Sequence, residues 1–215
     1  MKIIYLTSWY EETNFARKQE LIRCIHNTYA SKEVDEIVVL REKHAPVNDL
    51  PSIYYKNILH RPTYNDFFEF ANVFAKKGDI VIIANTDIYP EQGTKKYLSN
   101  LKENECYALS RWDEDTNGKK TLLNQRDTAD VWIFRAPIKK IEGDFYLGMA
   151  GCDNAIAERI TKAGYNVLNP SKTIQFNHVH NSQVRNYNPN NRVKKPYLLI
   201  APHHLNEIAQ KDFLN

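Results

Sequence analysis

Asp79-Ile80-Val81-Ile82-Ile83-Ala84-Asn85-Thr86-Asp87-Ile88-Tyr89-Pro90 is the stretch that decides the fold. Its first half is apolar without alternation. That pattern predicts a strand buried on both faces, as happens when helices cover both sides of a largely parallel sheet. Its second half turns polar at once. A carboxylate placed just after a buried strand is held by a rigid backbone and offers a hard oxygen ligand, which suits Mg2+ or Mn2+ and the phosphates that such ions carry. The competing reading is an Asp-initiated turn ahead of Pro90.

Strand-like and helix-like segments alternate on either side of this run. Ile3–Leu6 reads as a first strand. Leu21, Ile22, Ile25 and Tyr29 mark one face of a helix, and Glu36–Leu40 is a second strand. Thr63-Tyr64-Asn65-Asp66 fits a capping box that opens a helix carrying Phe67, Phe70, Ala71 and Phe74, with Gly78 placed to end it. A further helix is predicted over Glu91–Asn104 and strands over Cys106–Leu109 and Val131–Phe134. After them come a helix carrying Ile156 and Ile160, a strand over Thr173–Phe176 and another over Tyr197–Ala201. This alternation predicts an α/β fold with a mainly parallel central sheet flanked by helices. The length favours one domain over residues 1–215 and leaves room for its being the N-terminal part of a longer chain.

Ligands of open α/β sheets bind beyond the carboxyl ends of the strands. Thr7, Ser8 and Trp9 follow the first strand, Asn85-Thr86-Asp87 the central one, Arg111 the Cys106–Leu109 strand, and His178 and His180 the late one. The two histidines are two residues apart, so they point to one side. Either completes a metal shell begun by Asp87 or simply forms strand-end hydrogen bonds. Asp153 opens a helix and is either its cap or a carboxylate aimed at an acceptor hydroxyl. Asp130 is either a sugar ligand or a strand residue. Arg111 either meets phosphate or pairs with an acid, and Trp112 and Trp132 either stack on a sugar or pack in the core.

Composition excludes other classes. The formal net charge is only +3, and the one basic cluster, Asn190–Lys195, is short, so nucleic-acid binding lacks the basic stripe it needs. No apolar run approaches membrane-spanning length, and the start has no signal-peptide pattern. Three scattered cysteines, Cys24, Cys106 and Cys152, read as buried small hydrophobes in a reducing, cytoplasmic setting.

Taken with Asp130-Val131-Trp132-Ile133-Phe134, Gly151-Cys152-Asp153-Asn154, Ala163-Gly164-Tyr165-Asn166-Val167 and Asn177-His178-Val179-His180, the Asn85-Thr86-Asp87 motif resembles the metal motif of GT-A fold glycosyltransferases. In particular the chain resembles the small glycosyltransferase domains of large algal DNA viruses, the chlorella viruses. The resemblance spans nearly the whole chain. It implies a single GT-A (Rossmann-like) domain, a UDP-sugar donor, Mn2+ or Mg2+, and a glycan or glycoprotein acceptor, with a role in glycosylating a viral capsid protein in the host cytoplasm. It implies that Asp87 binds metal with His178 or His180, that Thr7 and its loop meet the nucleotide, and that Asp153 faces the acceptor. The donor set is then Thr7, Ser8, Trp9, Arg61, Asn65, Asn85, Thr86, Asp87 and Arg111, and the catalytic pair Asp153 and Asp130. One departure stands out: Asn85 occupies the first acidic position of the motif. A sugar nucleotidyltransferase is the main alternative, but Thr7–Glu12 has neither the Gly nor the Lys of its usual phosphate loop. A non-catalytic binding domain is the other.

Overall fold

The computed structural model describes residues 1–184 and 191–214. Asn190, the first residue of the basic cluster, therefore lies outside the described residues. In chain order the elements are β1 (Ile3–Trp9), α1 (Phe15–Ser31), β2 (Glu36–Glu42), β3 (Tyr54–Ile58), α2 (Tyr64–Phe74), β4 (Ile80–Ala84), β5 (Ile88–Pro90), α3 (Lys95–Leu98) and β6 (Glu105–Leu109). They continue with β7 (Trp112–Glu114), β8 (Lys120–Leu122), β9 (Val131–Arg135), α4 (Cys152–Lys162), β10 (Asn166–Leu168), β11 (Phe176–His178), β12 (Tyr197–Ile200) and β13 (Lys211–Leu214).

Seven strands form the main sheet in the order β10-β6-β9-β4-β1-β2-β3. All neighbours are parallel except β9, which runs antiparallel to both β4 and β6. Every residue of β4 is buried. Its side chains alternate between two cores, Val81 and Ile83 on the face of α2 and α4, and Ile80, Ile82 and Ala84 on the face of α1. β9 does the same with Trp132 and Phe134 against Val131 and Ile133. Trp132 is thus a core residue, in edge-to-face contact with Tyr64. The three cysteines are buried.

A second, smaller sheet runs β5-β11-β7-β8, and β12 pairs with β13. The small sheet extends the carboxyl edge of the large one. β5 begins one residue after Asp87, His178 of β11 lies opposite Ile88 of β5, and on its other side His178 aligns with Asp113 of β7. The antiparallel course of β9 has a similar effect. Its first residue, Val131, lies opposite Ala84, so Asp130 arrives at the end of β4 and its carbonyl accepts the Asn85 N–H at 3.2 Å.

Several predicted boundaries move. The capping box opens α2 as expected: Thr63 accepts from the Asp66 N–H, and the Asp66 carboxylate accepts from the Thr63 N–H. Gly78, by contrast, does not cap that helix. α2 ends at Phe74, and Gly78, at φ +89°, shapes the turn into β4. The helix expected over Glu91–Asn104 contracts to Lys95–Leu98. Gly93 at φ +87° breaks its start, the Glu33 carboxylate accepts from the Gly93 and Lys95 amides, and i→i−3 bonds close turns at Asn100 and Leu101. The late strand begins at Phe176, because the Thr173 and Ile174 amides are both used in a turn on the Pro170 carbonyl. Among the described residues, no helix is long and apolar enough to cross a membrane.

Ile83 is fully buried in the α2–α4 core. Truncating such a side chain loses both its transfer free energy and its packing, so Ile83→Ala should cost about 2–5 kcal/mol. The check is a lower urea midpoint with an unchanged slope.

Candidate active site

A cleft of about 700 Å3 opens at the carboxyl edge of the main sheet, lined among others by Ser8, Arg17, Asn85, Asp87, Arg111, Asp130, Asp153, His178 and His180. Separate segments supply these groups, which the sequence places up to 172 positions apart (8 to 180).

The turn after β4 is fixed first. The Thr86 hydroxyl donates to the Ser8 carbonyl at 2.9 Å, tying the end of β4 to the end of β1, and the Val179 N–H donates to the Asp87 carbonyl at 3.0 Å, tying it to the end of β11. The Asp87 side chain is buried and faces two cationic groups through one oxygen: Arg17 donates to Oδ2 at 2.5 Å, and His178 Nε2 lies 3.2 Å away. Burial opposes ionisation of this carboxyl, but His178 and Arg17 outweigh it and hold it far below the usual carboxylate range.

The His178 ring is held from both sides, since its Nδ1 lies 2.7 Å from Asp113 Oδ1. Burial disfavours its charge, yet Asp87 and Asp113 together push its pKa up to about 9. His180 is different. Burial, then Arg17, lowers its pKa, and its Nε2 lies 2.8 Å from the Val184 carbonyl. The ligand atoms of Asp87, His178 and His180 all lie within 4.8 Å of one another. One carboxylate and two imidazoles, with a second carboxylate behind one of the rings, is a donor set that suits a divalent transition metal. The residues present therefore fit Mn2+ better than an all-oxygen Mg2+ shell.

Beside this cluster runs a second chain of charges. Arg111 donates from Nε to Asp113 at 2.8 Å and from Nη1 to Asp130 at 3.2 Å, and Asn85 donates to Asp130 at 2.9 Å. Asp130 is thus the buried holder of Arg111 and Asn85. Asn85, which stands where a second acid was expected, uses its amide to orient that holder. Asp153 borders the same cleft. The helix cap is Gly151, without a side-chain cap bond, so Asp153 does not cap α4. Its carboxyl instead accepts from the Cys152 thiol at 3.0 Å. Burial first, and the charge of Asp130 second, push its pKa up to about 7.

Not every residue singled out in the sequence reaches the cleft. Thr7 and Trp9 are buried beneath it, with the Trp9 ring N–H donating to the Pro46 carbonyl. Asn65 lines a different hollow, of about 730 Å3, between α2 and residues 139–145, and its side chain accepts from the Gly143 N–H. That hollow holds no comparable convergence of acids and histidines among the described residues. Arg61 borders the cleft and donates to the Leu147 carbonyl at 2.7 Å. Trp112 is half-buried and bonded to the Ser171 carbonyl. Arg17 was not foreseen, and Asp113, which follows the Cys106–Leu109 strand together with Arg111, was assigned no role. Arg17 had a faint signal, as a charge directly N-terminal to the apolar face of α1.

No protein-family model matches the chain, and no curated protein matches it significantly. Solved structures do match in fold. A point mutant of a Drosophila β1,4-galactosyltransferase 7, crystallised with manganese, UDP-Gal and xylobiose, aligns over 87% of this chain and 76% of its own at 14% identity and TM-score 0.51. A Bacillus anthracis protein provisionally assigned as a glucose-1-phosphate thymidylyltransferase, crystallised with sucrose, aligns over 87% and 96% at 12% identity and TM-score 0.49. HddC from Yersinia pseudotuberculosis aligns over 64% and 78% at 12% identity and TM-score 0.43. At these identities the likeness is one of fold alone, a Rossmann-like α/β architecture.

The raised Asp153 pKa has a stability consequence. A carboxyl harder to ionise in the folded than in the unfolded chain adds stability below its unfolded pKa, and that contribution is lost as pH climbs through about 7. Asp153→Asn should therefore melt higher than the parent at pH 8, with the gap closing toward pH 4. A variant that melts lower at pH 8 would assign Asp153 a role in starting α4.

Proposed function

We propose that the chain is a metal-dependent glycosyltransferase that moves a sugar from a UDP-sugar donor to a glycan hydroxyl. The observation that carries this reading is the Asp87–His178–His180 cluster and the Asp153 carboxyl in one cleft. The cluster would hold Mn2+, which when bound supplies positive charge to the departing diphosphate. Arg111, fixed between Asp113 and Asp130, offers further cationic charge on the same side.

On the acceptor side, Asp153 acts as general base. The acceptor oxygen forms its bond to the anomeric carbon as its proton passes to the Asp153 carboxylate. The bond from that carbon to the diphosphate breaks, and UDP leaves with the electron pair. Attack from the face opposite the leaving group inverts the anomeric centre. A base with a pKa near 7 is matched to neutral conditions.

The nucleotidyltransferase alternative shares the fold, so the choice rests on the loop after β1. Its residues, Thr7–Glu12, lack the Gly and Lys expected for binding a nucleoside triphosphate. The capsid role and the viral setting rest on the sequence resemblance alone.

Asp87→Asn should abolish Mn2+-dependent UDP binding in calorimetry while the far-ultraviolet dichroism stays that of the parent. Tight UTP or CTP binding without metal dependence would favour the alternative instead. The pH profile of turnover should fall below about pH 7, as Asp153 takes up its proton. Asp153→Asn should lower turnover by at least about a hundredfold with little change in donor affinity.

A further inference from the structure

Arg17 is more than a neighbour of the cluster. It comes from the first turn of α1, is buried, and divides its guanidinium among three partners. Its Nη2 donates to Asp87 Oδ2 at 2.5 Å, while its Nη1 donates to Glu20 Oε2 at 3.0 Å and to the Val179 carbonyl at 3.1 Å. Glu20 is itself anchored, accepting from the N–H and the hydroxyl of Ser182 at 2.6 and 2.7 Å. Asp87 Oδ2 is also the oxygen that faces His178 Nε2.

We propose that Arg17 is an internal competitor for the cation, sharing Asp87 with it and thereby setting metal affinity. This rests on the metal reading above. Asp87 is the single acid among the three clustered ligands, because Asn85 fills the other acidic position of the motif. The Arg17 guanidinium offsets its charge and, unlike the His178 ring on the same oxygen, cannot give up its proton to make way for a metal. A divalent ion entering beside Arg17 meets a site already neutralised, and two cations at contact distance repel. The competition is reversible by construction. When Asp87 turns to a metal, Arg17 loses one partner and keeps Glu20 and Val179. A diphosphate brought in with the ion restores the missing negative charge. Metal and nucleotide should therefore bind cooperatively, each tightening the other by the same factor.

The test is a Mn2+ titration followed by the electron paramagnetic resonance of the free ion, with and without UDP, on the whole chain. Arg17→Gln should bind Mn2+ about tenfold more tightly than the parent in the absence of UDP, the scale of one charge-assisted hydrogen bond no longer competing, and should show a smaller gain on adding UDP. Equal or weaker binding by Arg17→Gln overturns the proposal. Should circular dichroism show that variant unfolded, Glu20→Gln decides. It leaves Asp87 as the sole carboxylate partner of Arg17 and should weaken Mn2+ binding several-fold, whereas unchanged or tighter binding overturns the proposal. A parent and an Asp87→Asn variant that bind Mn2+ alike, with UDP present, would instead sink the metal site itself.

Discussion

A carboxylate enclosed by protein has to be given its counter-charges by the chain, and Asp87 is where that demand falls. Arg17 reaches it from α1 and His178 from β11, with Asp113 of β7 behind the ring. Asp113 in turn engages Arg111 from the end of β6, and Arg111 engages Asp130 ahead of β9. Each link recruits a different element to one edge of the sheet. Removing a charge from the middle of such a chain strands its neighbours, so the polar groups of the cleft and the packing order of the strands constrain each other.

Much of this was legible in the sequence. The unbroken apolar run of β4 announced a strand buried on both faces, and the alternation around it announced the α/β layers. The Thr63–Asp66 capping box was readable because both of its bonds are local. Asn85, Asp87, Arg111, His178 and His180 stood out as polar groups just past the ends of apolar strands, and Asp130 and Asp153 as acids at the mouths of apolar elements. The features that escaped are non-local or short. β5 and β7 have three residues each, too few for a period to show. The antiparallel course of β9 depends on the connection after β6, about which side-chain pattern is silent. Arg17 looked like any helix-surface cation, because its burial comes from Val179 and Asp87, far along the chain. Thr7, Trp9 and Asn65 were drawn into the donor set by position, yet their side chains pack or bond elsewhere.

The fold by itself selects no chemistry. Function therefore has to be argued from the groups at the sheet edge. Here those groups divide the labour by environment. Asp87, faced by cations, is ionised well below neutrality, whereas Asp153, faced by burial and another acid, keeps its proton until about neutrality. Two carboxylates pushed in opposite directions are what a reaction needs when one side must hold charge and the other must accept a proton.

Gly151 joins this chemistry to a distant part of the chain. It stands at φ +75°, two residues before Asp153, and a β-carbon there would lie 2.6 Å from the Tyr197 hydroxyl. That hydroxyl is itself engaged, donating to the Val193 carbonyl. The backbone that presents Asp153 is therefore pressed against β12, and β12 is held by β13. A cut ahead of Tyr197 would remove the surface that presents Asp153, together with Leu198 and Ile200 from the core shared with α4. The carboxyl proposed as the base thus depends for its position on a late strand that lines no part of the cleft.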